Sequence, residues 1–315
     1  MRKMTYITTV TLLLMLAGCI PTQANMVETR AVILPTFSAT STPANTATPA
    51  PTTSAPDEPP TAAEGADLDL EARSAVLMNA TTGEILFEKN VHQQMYPAST
   101  TKIMTALLAL DYFKTDEIIR VGDEANLTWA ADRSEAQKAG LFYGQELTMK
   151  ELLYGLLLPS GSDAAFSIAV NVARRASEDD YLPDHQALTY FAALMNQKAV
   201  SLGAEQTNFT NPDGIQDPNH YSTAYDLALI AQAAMQDPQI REIVATPVYQ
   251  TAQTVNSPGE AFSRSWENTN RLIQPEDEHY YPPANGIKTG TTEEAGHCLV
   301  SSAMLGSDLL IAVVL

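Results

Sequence analysis

Ser74-Ala75-Val76-Leu77-Met78-Asn79-Ala80-Thr81-Thr82-Gly83-Glu84-Ile85-Leu86-Phe87-Glu88 decides the fold class. Two apolar-rich runs flank a short glycine turn, which reads as a β-hairpin. The far end mirrors it: a strand over Cys298 to Met304, a Gly306-Ser307-Asp308 turn, and a strand over Leu309 to Leu315. What lies between reads as helical. Apolar residues recur at helical spacing from Thr101 to Tyr112 and again from Tyr225 to Met235. Thr148-Met149-Lys150-Glu151 has the form of a capping box opening a helix that runs through Leu158. Strands at both ends with helices between predict an α/β fold. An antiparallel sheet is built from both termini and flanked by helices, with a mainly helical subdomain inserted between.

Ahead of this domain stand two segments that cannot belong to its core. Arg2 and Lys3 precede a mostly apolar, uncharged run from Ile7 to Ala17, too short to span a bilayer comfortably. Residues 1–18 therefore read as a secretory signal. The run ends in Leu16-Ala17-Gly18-Cys19, which resembles the bacterial lipoprotein signal, where cleavage exposes a cysteine whose sulfur carries diacylglycerol. Cys19 is thus the candidate lipidation site and the membrane a partner through that anchor; two or more acyl chains hold a protein stably where one does so only marginally. Residues 19–67 are dominated by Thr, Pro, Ala and Ser. Such a stretch buries too little apolar area to offset chain entropy and reads as a disordered tether. Its random-coil span is on the order of 40 Å, several times more if stretched.

The folded part is placed at residues 68–315 of a 315-residue chain whose 45 % hydrophobic content fills a sizeable core. It ends inside the strand-like run Ile311-Ala312-Val313-Val314-Leu315, which reads as a domain truncated at its C-terminus. A formal net charge of −19 argues against nucleic-acid binding and keeps an exported protein soluble. Of the two cysteines, Cys19 is assigned to lipid, so Cys298 has no intrachain partner and reads as a buried structural thiol.

Three short motifs stand in fixed order within the domain: Ser99-Thr100-Thr101-Lys102, Ser160-Gly161-Ser162 and Lys288-Thr289-Gly290. They supply a nucleophile, an amine beside it, a second hydroxyl and a second cation, the inventory of an acyl-transfer site with lysine as base. Pro97 suits a helix start, which would put Ser99 in the first helical turn with Lys102 on the same face. A serine hydroxyl needs a base, and a lysine serves as one only if burial or a nearby cation lowers its pKa; Lys288 could be that cation. Ser160 and Ser162, two residues apart after Pro159, could face one cleft. Lys288-Thr289-Gly290-Thr291 is placed just before a strand, with Lys288 and Gly290 on one face and Gly290 allowing close approach. Each motif alone also has a plain reading: a capping serine with a surface lysine, a helix–helix turn, an edge-strand lysine beside a bulge.

The ordered triple resembles the serine D-alanyl-D-alanine carboxypeptidases, the low-molecular-mass penicillin-binding proteins with a β-lactamase/transpeptidase-like fold. The resemblance runs from about Ser74 to Leu315. It includes Asn211-Pro212-Asp213-Gly214, Asp217-Pro218-Asn219-His220-Tyr221-Ser222-Thr223-Ala224-Tyr225-Asp226-Leu227-Ala228, Gly286-Ile287-Lys288-Thr289-Gly290, and Ala295-Gly296-His297-Cys298-Leu299-Val300. It implies removal of the terminal D-Ala from peptidoglycan stem peptides at the bacterial cell envelope, with β-lactam antibiotics as mimics of the D-Ala-D-Ala end and no cofactor. Ser99 would be acylated, Lys102 would take its proton, and Ser160 would relay a proton to the leaving amine. Lys288 would hold positive potential, Thr289 would help bind the terminal carboxylate, and the Ser99 and Thr291 N–H groups would form the oxyanion hole. The family's middle motif usually ends in Asn; Ser162 stands there instead, which bears on efficiency.

The run from Asp213 to His220 has two carboxylates and a histidine, but no H-E-x-x-H or second well-placed histidine. It reads as a loop held by Asx and proline turns, with no metal. Asn268-Thr269-Asn270-Arg271-Leu272 is family-like without an assignable role. Two other functions compete. A β-lactamase of the same fold would need an E-x-x-L-N stretch after the middle motif, and Ser177-Glu178-Asp179-Asp180 does not match it; nitrocefin turnover separates the two. A peptidoglycan-binding scaffold weakened at Ser162 would not be labelled by penicillin.

Overall fold

The two hairpins meet in one sheet. The computed structural model describes residues 70–129, 136–251, 254–255 and 261–315. The expected signal segment, Cys19 and the expected tether lie outside the described residues. The N-terminal pair is β1 (Ala75–Asn79) and β2 (Ile85–Lys89); the C-terminal strands are β9 (Ala284–Thr292), β10 (Gly296–Leu305) and β11 (Asp308–Val314). Sheet order is β2-β1-β11-β10-β9, antiparallel throughout, so β9 is an edge strand.

Register follows the burial pattern. Val76 pairs with Val313, Val313 with Val300 and Val300 with Lys288, a row across four strands. Val76, Val300 and Val313 are each at most 2 % exposed, and Lys288 closes the row as its one polar member. Each such valine contributes on the order of 1.5–3 kcal/mol by leaving water, and a one-residue slip would turn every one outward.

The central helix is α1 (Lys102–Tyr112), apolar around its circumference and buried from Lys102 to Ala109. A helix apolar on all sides belongs in a core. α1 packs against β9 and against α2 (Met149–Leu157), α3 (Ser162–Ser177), α4 (Asp184–Ser201) and α5 (Ala224–Ala234). A strand pair precedes α2: β3 (Ile118–Arg120) with β4 (Glu146–Thr148). The capping box at Thr148 is present, with Thr148 Oγ1 accepting from the Glu151 N–H at 3.1 Å and Glu151 Oε2 accepting from the Thr148 N–H at 2.9 Å. α5 is capped by Thr223 and lies on β1, β10 and β11. After α5 come α6 (Pro238–Val244) and the short pairs β5 (Val248–Gln250) with β8 (Ser265–Glu267) and β6 (Thr254–Val255) with β7 (Ala261–Phe262). No helix among the described residues is long and apolar enough to cross a membrane.

Two expectations need correction. Ser99 does not sit in the first α-helical turn: Ala98–Thr101 form a 3-10 turn and α1 begins at Lys102. The tighter turn arises because the Thr100 N–H and hydroxyl both donate to Pro97 O, at 3.2 and 2.7 Å. Lys288-Thr289-Gly290 does not precede a strand but lies within β9. Its alternation holds, with Lys288 and Gly290 buried and Thr291 exposed.

Candidate active site

The nucleophile turn is held in an unusual backbone state. Ala98 has φ +48°, the left-handed region, which costs about 1–2 kcal/mol for a residue with a Cβ. Two glycines make room for this turn. A Cβ at Gly214 would fall 1.8 Å from Ala98 O, and one at Gly290 would lie 3.0 Å from the Ser99 nitrogen. Pro97, Ala98, Thr100 and Thr101 are buried and Ser99 is half-buried, so within this turn the serine is what reaches solvent.

Beneath Ser99 lie two buried amines. Lys102 Nζ is 3.0 Å from Ser99 Oγ and donates to Asp213 O at 2.8 Å; Ser99 Oγ lies 3.4 Å from the same carbonyl. Lys288 Nζ donates to Thr289 O at 2.9 Å. Each lysine is 1 % exposed. Burial first, and the charge of Lys102 second, push Lys288 well below the ordinary lysine range. A free-base amine beside Ser99 can give one N–H to Asp213 O and accept the serine proton on its lone pair.

The second motif faces them. Ser160 also lies in the left-handed region, φ +65°, and its buried Oγ has no hydrogen-bond partner among the described residues. Ser162 opens α3, 1 % exposed, its N–H donating to Gln137 O at 2.8 Å. The Asp163 carboxylate accepts the N–H groups of Ala139, Gly140 and Leu141, each at 2.8 Å, and so shapes that wall. Opposite runs β9, where Thr289 Oγ1 lies 2.5 Å from Thr269 Oγ1 and Thr291 Oγ1 lies 3.2 Å from His297 Nδ1. Ser99, Ser160, Ser162, Thr289, Gly290 and Thr291 line one cleft of about 940 Å³. The three motifs, far apart along the chain, therefore converge with their hydroxyls on one space.

Several groups in the site escape a reading of motifs. The Asp213 carbonyl is a backbone group, which no side-chain pattern announces. Thr269, Asn270 and Arg271 line the cleft; their segment stood out in the sequence but carried no role. Arg271 donates to Asp277 at 2.7 Å and to Glu278 at 3.2 Å, and this guanidinium, with the His279 N–H, holds the Asp277 carboxyl down at about 2. The run from Asp213 to His220 is the loop foreseen, with Gly214 N–H donating to Asn211 Oδ1 at 2.7 Å and Asn219 N–H to Asp217 Oδ1 at 2.7 Å. Cys298 is buried, and desolvation pushes its thiol up to about 11, far from reactive.

The sequence profile of the D-alanyl-D-alanine carboxypeptidase family matches residues 60–315. The D-alanyl-D-alanine carboxypeptidase DacF of Bacillus subtilis is 36 % identical over 250 residues, covering 79 % of this chain and 58 % of that protein. A D-alanyl-D-alanine carboxypeptidase of Streptomyces sp. strain K15 is 36 % identical over 242 residues, 76 % of this chain and 78 % of that protein. The crystal structure of the Streptomyces K15 DD-transpeptidase superposes with a TM-score of 0.70 at 33 % identity, covering 79 % of this chain and 91 % of that one. The chain thus spans less than two thirds of the Bacillus relative.

Proposed function

The chain belongs to the D-alanyl-D-alanine carboxypeptidase family, and from that premise we propose that it is a serine acyl-transfer hydrolase removing the terminal D-Ala from peptidoglycan stem peptides. The observation that carries this reading is the 3.0 Å contact between Lys102 Nζ and Ser99 Oγ in a turn that presents this serine to the cleft.

Ser99 Oγ attacks the penultimate D-Ala carbonyl as its proton passes to Lys102. The oxyanion is received by the N–H groups of Ser99 and Thr291. The carbon–nitrogen bond breaks, and the proton reaches the leaving D-Ala amine through Ser160, whose buried hydroxyl has no hydrogen-bond partner among the described residues. Thr289 binds the terminal carboxylate, with Lys288 supplying positive potential when protonated; Ser162 lines the acyl side. Water then attacks the ester, Lys102 takes its proton, and Ser99 is restored. β-Lactams acylate the same serine. Stoichiometric labelling of the full chain by a fluorescent penicillin, lost in Ser99→Ala, tests the assignment; persistent labelling of that variant would place the nucleophile elsewhere.

A second acyl acceptor is favoured by the name DD-transpeptidase carried by the Streptomyces K15 structure. Product analysis with an added amino acid as acceptor separates transfer from hydrolysis.

Residues 1–18 and Cys19 support a lipid-anchored enzyme on the outer face of the cytoplasmic membrane, reaching its substrate on the tether. In a bacterial host the wild type incorporates labelled palmitate and fractionates with membranes, while Cys19→Ala does neither. A soluble, unlabelled wild type would refute the anchor and leave the catalytic reading intact.

A further inference from the structure

The loop from Asn208 to Ser222 delivers the Asp213 carbonyl to the two catalytic groups, and one buried side chain joins it to the nucleophile turn. The loop's feet are held by the bridges Met95–Ser222 and Asn208–Tyr221. At its tip, Thr105 Oγ1 donates to Pro212 O at 2.6 Å and Lys102 donates to Asp213 O at 2.8 Å. His220 is 2 % exposed and uses both ring nitrogens. The Thr210 N–H donates to His220 Nδ1 at 3.1 Å, and Nε2 lies 2.8 Å from Thr101 Oγ1. A backbone N–H can only donate, so Nδ1 is an acceptor and the ring proton sits on Nε2, which donates to Thr101.

We propose that His220 is a positioning residue for acyl transfer: as the neutral Nε2–H tautomer it ties Thr101, between Ser99 and Lys102, to Thr210 on the loop, and so sets the Asp213 carbonyl against the lysine–serine pair. The proposal rests on the reading of Ser99 as nucleophile and Lys102 as base. The physical argument is orientation. A neutral Lys102 amine must spend an N–H on Asp213 O for its lone pair to face the serine proton; a shifted carbonyl lets the amine rotate. The cleft is lined mainly by β9 and the 269–271 segment, with Gly214 and Ile215 of the loop, whereas the hydrogen bonds of His220 go to Thr101 and Thr210, outside that lining.

The charge environment is consistent with a neutral ring. Asp213 and Asp217 on the same loop favour its charged form, Lys102 on α1 opposes it, and burial outweighs them all, lowering its pKa to about 4. A protonated Nδ1 would set an N–H against the Thr210 N–H, two donors face to face.

The test uses the full chain, fluorescent penicillin and a diacetyl-Lys-D-Ala-D-Ala substrate. Wild type that fails to label, or Ser99→Ala that still labels, overturns the nucleophile reading itself. With that reading standing, His220→Asn, whose short amide reaches Thr210 and not Thr101, loses about 10- to 100-fold in acylation rate and kcat, the scale set by misplacing a reacting group. KM stays within about threefold. His220→Gln, with an amide nitrogen in the place of Nε2, loses about tenfold less than His220→Asn. Thr101→Val falls as far as His220→Asn, the double variant falls no further, and Thr101→Ser recovers. Equal kcat losses in the Asn and Gln variants, additivity in the double variant, or a loss confined to KM overturns the proposal. Should His220→Asn fail to fold, ¹⁵N NMR of the histidine-labelled wild type decides: Nε2 carries the proton and Nδ1 is bare down to about pH 5, whereas an Nδ1–H tautomer or an imidazolium at about pH 6 overturns it.

Discussion

The two walls of the cleft are built on different terms. The helical wall is irregular: Ala98 and Ser160 are both left-handed, Ser160 Oγ is buried without a partner among the described residues, and Lys102 is desolvated. The sheet wall is regular where it lines the cleft: from Ile287 to Thr292, β9 pairs with β10 in unbroken antiparallel register, and its threonines meet Thr269 and His297. Strained or unsatisfied groups persist only where surrounding packing over-determines them, and such groups gather where chemistry occurs. An edge strand presents a straight row of pairing groups, suited to holding an extended peptide. On the proposed function, the contrast separates a wall that reacts from a wall that binds.

That division can be broken by experiment. The largest effect is expected on the helical wall: Lys102→Ala should lower the acylation rate by about 10²- to 10⁴-fold, the range for removing a general base. Stopped-flow acylation measures it, and a near wild-type rate would remove Lys102 from the role. Next is the loop behind that wall. His220 has its pKa lowered from 6.5 to about 4. The unfolded chain therefore takes up this proton before the folded one does, and the stability His220 lends is complete above pH 6.5 and lost as pH falls through 4. The shift corresponds to about 3 kcal/mol. Urea unfolding between about pH 7 and 4 should show this loss in wild type and a smaller one in His220→Gln; equal slopes would refute it.

On the sheet wall, Thr289→Val removes a hydroxyl proposed to bind the terminal carboxylate. A hydrogen bond to a charged group is worth about 1.5–3 kcal/mol, so KM should rise roughly tenfold or more while kcat moves little. A fall in kcat with KM unchanged would erase the distinction between the walls. The smallest effect is expected at Ser162, where a hydroxyl stands in place of an amide. Ser162→Asn should raise kcat/KM on the peptide by up to about tenfold. No change would mean that water or a neighbour already supplies the missing contact, and a clear loss that the site has been rebuilt around the serine.

Much of this was legible without coordinates, and the reason is range. The β1–β2 and β10–β11 hairpins, α1, α5 and the Thr148 capping box declare themselves within a dozen residues, through alternation, helical spacing and cap chemistry. The three motifs declare the chemistry, because an acyl-transfer site needs those side-chain types whatever the backbone around them. Local reading failed where backbone detail mattered. Pro97 signalled a helix start, but the Thr100 bonds to Pro97 O tightened the turn to 3-10. The lysine of β9 read as preceding a strand, because glycine and threonines weaken the apolar alternation there.

Tertiary structure alone decided how the motifs are armed. The Asp213 carbonyl reaches Lys102 across 111 residues of chain, and His220 reaches Thr101 across 119. Every residue carries a carbonyl, so composition cannot mark the one that orients a base. A histidine's tautomer and burial likewise depend on which distant groups surround it. The sequence by itself determined the reactive inventory and the elements that bear it; the packing of the 208–222 loop against α1 decided which backbone oxygen, and which neutral ring, hold that inventory in place.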